Sequence, residues 1–211
     1  MTTGTSHHDT LTASHEHINK LRAAQVQQER RRKQRIRLVS VGATVAVIGI
    51  IVAMMLSSRQ ETSSTTRVAP DFTLTNTSGA QVSLAALRGK NVLLYFSEGA
   101  GCQACLVQMA QIEKDPGFAA EGLTVLPIVM NSKDQIIADM AANEVRTPFL
   151  LDDGTVSTAY GTLGKGMHAD LPGHSFVLID KAGKQRWYGE YPSMFLSTTD
   201  LLKEVRARLG S

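Results

Sequence analysis

Leu38–Ser58, LVSVGATVAVIGIIVAMMLSS, constrains this chain more than any other stretch, because its 21 consecutive residues carry no charge. Wound as a helix at about 1.5 Å per residue, it would span roughly 31 Å, against a bilayer core of about 30 Å. A surface helix of a soluble domain carries charges along its wet face; this run has none and is expected to be a transmembrane helix. It begins too far into the chain, and is too long, for an ordinary cleaved signal peptide. The charge on either side sets its direction. Arg30, Arg31, Arg32, Lys33, Arg35 and Arg37 precede it, and only Arg59 and Arg67 follow closely. Basic residues stay on the cytoplasmic side. The expected layout is therefore a cytoplasmic basic tail (1–37), a single membrane span (38–58), a Ser/Thr-rich linker (59–69) and an extracytoplasmic domain (70–211).

The overall charge of +3 conceals this segregation. Residues 1–37 hold eight Lys or Arg against three acids, while the rest hold fourteen against sixteen. The folded part is thus slightly acidic, which argues against nucleic acid as its partner. His7, His8, His15 and His17 are scattered through a polar N-terminal stretch that reads as an exposed tail.

Beyond residue 70 the hydrophobic pattern changes period repeatedly. DFTLTNTSGAQVSLAAL alternates about Ser-Gly as a hairpin does, and NVLLYFS is a continuous apolar run suited to a central strand. LVQMAQIEK (helix), LTVLPIVMN (strand), KDQIIADMAANEV (helix), PFLLD (strand) and TVSTAYG (short helix) follow. HSFVLID and QRWYGEY, strands about the turn KAGK, lead to a closing helix in STTDLLKEVRARL. This order predicts an α/β sandwich with a mixed sheet.

Both cysteines of the chain lie in FSEGAGCQACLVQM, as Cys102 and Cys105, between a strand-like and a helix-like run. Three readings compete: a redox pair, part of a metal site, or two thiols that merely pack. At a helix start, the free N–H groups and the positive end of the dipole favour a thiolate on the first cysteine. The second, one turn on, is near enough to resolve a mixed disulfide. A structural disulfide more often closes a long loop, since closing a tiny one removes little unfolded-state entropy. Gly99 and Gly101 permit positive φ and present no side chain to a docking polypeptide.

The landmarks Ala69-Pro-Asp-Phe72, Leu87-Arg-Gly-Lys90, the Cys pair, Leu150-Leu-Asp152, Ala159-Tyr-Gly161 and Phe176-Val-Leu-Ile-Asp180 with Gly183-Lys184 occur in an informative order. In that order and spacing the chain resembles the thioredoxin-like superfamily. It is most similar to the alkyl hydroperoxide reductase/thiol-specific antioxidant (redoxin) branch and its membrane-anchored thiol–disulfide oxidoreductases. The resemblance implies a thioredoxin-like three-layer sandwich over about two-thirds of the chain. It also implies a redox-active Cys102–Cys105 disulfide with no other cofactor. Cys102 is the expected nucleophile, Cys105 the resolving thiol, and Glu98 a carboxylate relaying a proton. Gly101, Pro172 and His174 are the expected docking residues, Pro172 standing near the position of a loop cis-proline that Pro148 fits less well.

Two departures separate this chain from its kin. Peroxiredoxins carry Pro seven residues, and Thr or Ser three residues, before the peroxidatic cysteine. Those positions here are Tyr95 and Gly99 for Cys102, and Glu98 and Cys102 for Cys105. Gly101 also stands where thioredoxin-type sites carry an aromatic. The expected function is accordingly thiol–disulfide exchange with cysteine-containing extracytoplasmic proteins, linked to a membrane electron donor or acceptor. The alternatives are a thiol peroxidase, or a copper carrier using Cys102, Cys105 and His174, since two thiolates and an imidazole suit Cu(I). His168 is a weaker candidate than His174.

Overall fold

A computed structural model describes residues 39, 41–43, 45–50, 62–63 and 66–210. The chain divides into two units, Met1–Ser57 and Ser58–Ser211. In the first, residues 39, 41–43 and 45–50 are helical (α1). Its large apolar side chains, among them Val39, Val45 and Ile48, are exposed. The rest of the expected membrane span, and the tail over 1–37, lie outside the described residues. Among those described, no helix is long and apolar enough to cross a membrane.

The second unit begins with two short strands, β1 (Thr62–Ser63) and β2 (Arg67–Val68), and the hairpin β3 (Thr73–Thr75) and β4 (Gln81–Ser83). A 3-10 turn at Ala85–Leu87 leads into β5 (Asn91–Phe96). Then come α2 (Gln103–Lys114), α3 (Pro116–Ala120), β6 (Leu123–Val129), α4 (Lys133–Ala142), β7 (Leu150–Leu151) and α5 (Thr155–Ala159). The antiparallel pair β8 (Ser175–Ile179) and β9 (Lys184–Glu190) and helix α6 (Thr198–Leu209) complete the domain. The main sheet runs β1-β9-β8-β5-β6-β7, with β2 also on β9. Strands β5, β6 and β7 are parallel, and β8 joins β5 antiparallel. This is the mixed sheet of a thioredoxin-like α/β fold.

β5 shows why its apolar run is continuous: it lies between β6 and β8 with both faces covered. Leu93 and Tyr95 point to one face, into a core with Leu106, Met109 and Ile112 of α2, Ile136 and Met140 of α4, and Leu201 and Val205 of α6. Val92, Leu94 and Phe96 point to the other, into a core with Phe72, Leu84, Val156 and Tyr160. Each fully buried side chain of this size contributes about 1.5–3 kcal/mol. Trp187 of β9 is completely buried in the first core.

Two features were not expected. The segment expected to be a tether, 59–69, supplies β1 and β2, which pair antiparallel with β9. Short runs without apolar alternation carry no strand signal; here they cap the open edge of β9, a place where unpaired backbone groups would otherwise invite other chains. Helix α3 was unforeseen too. Asp115 caps it, accepting from the Gly117 N–H at 2.8 Å, and Pro116 opens it.

Candidate active site

Strand β5 ends at Phe96, and the chain passes through buried Ser97 and Glu98 before turning into α2. The turn depends on two glycines in the left-handed region, Gly99 (φ 77°) and Gly101 (φ 84°). They do different work. A Cβ on Gly99 would run into the side chains of Asn131 and Val129, whereas one on Gly101 would meet open space. Gly99 is therefore required by packing as well as by φ. Gly101 is required by φ alone, with open space where a Cβ would stand.

Cys102 and Cys105 are joined by a disulfide, with their Cα atoms 5.3 Å apart. Cys102 is the N-cap of α2; its Sγ accepts from the Cys105 N–H at 3.3 Å. Cys102 is half-buried and Cys105 is 1% exposed. The pair is thus asymmetric, one residue partly accessible and the other enclosed.

Behind the pair stands Tyr95, buried in β5. Its hydroxyl donates to the Cys105 carbonyl at 3.1 Å and lies 3.3 Å from His174 Nδ1. With the hydroxyl proton committed to the carbonyl, His174 completes the chain as the Nδ1–H tautomer, donating to the tyrosine oxygen. The other nitrogen, Nε2, is buried without a hydrogen-bond partner. Burial holds the His174 pKa down at about 3, so the ring is neutral at physiological pH. Burial also raises the Tyr95 hydroxyl far above its usual range, so it keeps its proton.

Glu98 is 2% exposed and fully occupied. Its Oε1 accepts from the backbone N–H groups of Met167 (2.6 Å) and His168 (3.1 Å), and its Oε2 lies 2.9 Å from His168 Nδ1. These contacts fasten the loop between α5 and β8. Pro172 is buried there, bridged antiparallel to Leu163. Among the described residues no peptide bond is cis, Pro172 included.

Helix α4 supplies the remaining contacts. Asn131 Oδ1, just before its N-terminus, accepts from the Ala100 N–H at 2.8 Å, and Asp139 Oδ2 accepts from the Gly101 N–H at 2.8 Å. Gln103 Nε2 donates to Asn143 Oδ1 at 2.6 Å. The α4 start is itself secured by a capping box between Ser132 and Gln135.

With this geometry established, comparison places the chain among known proteins. The AhpC/TSA family matches residues 65–188, more than half of the chain. The chain belongs to the AhpC/TSA family. A Mycobacterium tuberculosis protein that carries a peroxiredoxin name is 34% identical over 122 residues, 55% of this chain and 78% of the relative. Among solved structures, the reduced 2-Cys peroxiredoxin of Plasmodium vivax superimposes with a TM-score of 0.61 at 21% identity, covering 70% of this chain and 98% of that one. A Bacteroides thetaiotaomicron protein described as a disulfide isomerase matches with a TM-score of 0.53 at 26% identity, covering 69% and 89%. Membership in the AhpC/TSA family makes the chain a thiol-dependent oxidoreductase on a thioredoxin-like fold.

Not all the expected AhpC/TSA site residues meet. Cys102, Cys105 and Gly101 lie together at the start of α2; His174 reaches the pair through Tyr95, and Glu98 is bound to His168. Among the described residues no three His, Cys, Asp or Glu side chains are grouped as a metal site, so Cys102, Cys105 and His174 are not assembled as one. A cavity of about 460 Å³ lies between Pro70–Thr75 and Thr155–Tyr160, and neither cysteine lines it. Sequence reasoning passed over the roles of Tyr95, Asn131 and Asp139, and ranked His168 below His174. The polar residues of α4 look like any solvated helix face, and their partners lie 31 and 38 positions away.

Proposed function

We propose that this chain is a membrane-anchored thiol–disulfide oxidoreductase, with Cys102 attacking and Cys105 resolving. One observation carries the reading: a half-buried cysteine at the N-cap of α2, disulfide-bonded to a buried one a turn further on. In the reducing direction the Cys102 thiolate attacks one sulfur of a target disulfide. The new S–S bond forms as the target's breaks, and the departing thiolate takes a proton. Cys105 then loses its proton and attacks Cys102 Sγ, releasing the second target thiolate, which is protonated. Two electrons and two protons reach the target and the Cys102–Cys105 disulfide remains, to be reduced again by a dithiol donor. No other cofactor is called for.

The open space beside Gly101 and the absence of either cysteine from the cavities around Tyr160 suit a macromolecular substrate better than an enclosed small one. Cysteine-containing extracytoplasmic proteins are the proposed substrates, and a membrane electron carrier the proposed redox partner. The anchoring rests on the uncharged run 38–58 and its basic flank; the exposed apolar side chains of α1 suit a lipid environment. Glu98, Pro172 and His174 are proposed to shape the dock, Glu98 by holding the 163–172 loop.

A thiol peroxidase is the second reading, favoured by the peroxiredoxin name of the M. tuberculosis relative. One experiment separates the two. With Cys105→Ser, a mixed disulfide between Cys102 and a target protein should accumulate, and with Cys102→Ser none should form. Peroxide turnover by the wild type at the rate of a dedicated peroxidase, with no mixed disulfide trapped, would reverse the choice.

A further inference from the structure

We propose that Asp139 sets the direction of electron flow, its carboxylate biasing the Cys102–Cys105 pair toward donating electrons. The inference rests on the thiol–disulfide reading above. Asp139 Oδ2 takes the N–H of Gly101, the residue immediately before Cys102, at 2.8 Å. Asn131 takes the preceding N–H, that of Ala100, also at 2.8 Å. Two backbone donors just before Cys102 are therefore satisfied by side chains of α4 and of the turn that leads into it. The contact left on Cys102 Sγ is the Cys105 N–H at 3.3 Å.

The charged group bonded to the backbone beside Cys102 is a carboxylate. Glu98 is buried four residues upstream, but it has His168 and two backbone donors against it. Tyr95 and His174, behind the pair, are uncharged at neutral pH. Asp139 has no ion-pair partner among the described residues and is half-buried. A carboxylate one residue from a thiolate raises the cost of that thiolate and opposes the helix dipole. The thiolate exists only in the dithiol form. Raising its free energy raises that form relative to the disulfide, and the pair gives up its two electrons more readily. A pair whose thiolate is well stabilised behaves in the opposite way and oxidises its partners.

The test uses the full chain in detergent with Asp139→Asn, whose Oδ1 still accepts from the Gly101 N–H while the charge is gone. Two quantities are read on the pair itself: the Cys102 thiol pKa, from the pH dependence of alkylation in a Cys105→Ser background, and the equilibrium with reduced and oxidised glutathione. The expected result is a lower thiol pKa and an equilibrium displaced about three- to tenfold toward the dithiol, tenfold corresponding to about 30 mV. Asp139→Glu should stay near wild type. A folded Asp139→Asn variant with unchanged thiol pKa and unchanged glutathione equilibrium overturns the proposal. Because neither readout needs a protein substrate, Asp139 is decided even where Cys105→Ser traps nothing, an outcome that would instead remove the exchange reading.

Discussion

His174 combines near-complete burial with a basic nitrogen, and the combination has a cost that pH exposes. Its folded-state pKa, about 3, lies below the unfolded value of about 6.5. Below pH 6.5 the unfolded chain binds a proton that the folded chain refuses, so stability is complete above that point and declines as pH falls toward about 3. The slope approaches about 1.4 kcal/mol per pH unit. Urea denaturation at pH 7 and pH 5 should show this loss in the wild type. His174→Asn, whose amide N–H can still reach the Tyr95 oxygen, should lose about 1–2 kcal/mol less over the same interval. Tyr95→Phe removes the side-chain donor to the Cys105 carbonyl and leaves His174 Nδ1–H without its acceptor, both in the interior. About 1–3 kcal/mol of stability should go with it, measured by the same denaturation. At this scale the cysteines were legible because two thiols three residues apart have few other uses. Tyr95 was not, since a tyrosine in an apolar run reads as packing until the fold sets a carbonyl and an imidazole against its hydroxyl.

Among the elements, α4 governs the active-site loop without carrying a reactive group. Its capping box should contribute about 1 kcal/mol, so Ser132→Ala is expected to lower stability by that amount in denaturant titrations. Gly99→Ala is the harsher change, placing a methyl at positive φ against Asn131 and Val129. A loss of about 1–3 kcal/mol is expected, together with slower formation of the mixed disulfide by the Cys105→Ser protein. The strands and the long helices of the domain were readable from period alone, because burial on one face or two writes itself into the order of apolar residues. The pairing of β1 and β2 with β9 was not: two-residue strands have no period, and their identity comes wholly from the neighbour whose hydrogen bonds they complete.

Taken whole, the molecule joins a basic segment and an uncharged run to a slightly acidic redox domain. Protease added to sealed, right-side-out cells or spheroplasts should remove the domain beyond residue 58 while sparing the tail, and carbonate washing should leave the full chain in the membrane pellet. Release of the chain by carbonate, or protection of the domain, would rule out the proposed topology. The amino-acid order alone determined the alternation of strands and helices, the two-faced burial of β5, the family resemblance and the closely spaced cysteine pair. Those follow from local periodicity and from residue chemistry at short spacing. Tertiary structure alone decided that Glu98 ties down the 163–172 loop, that Tyr95 links His174 to Cys105, and that Asp139 stands at the backbone before Cys102. Each of those contacts joins residues at least ten positions apart, and only the packing of helices and loops against the sheet brings such residues within reach.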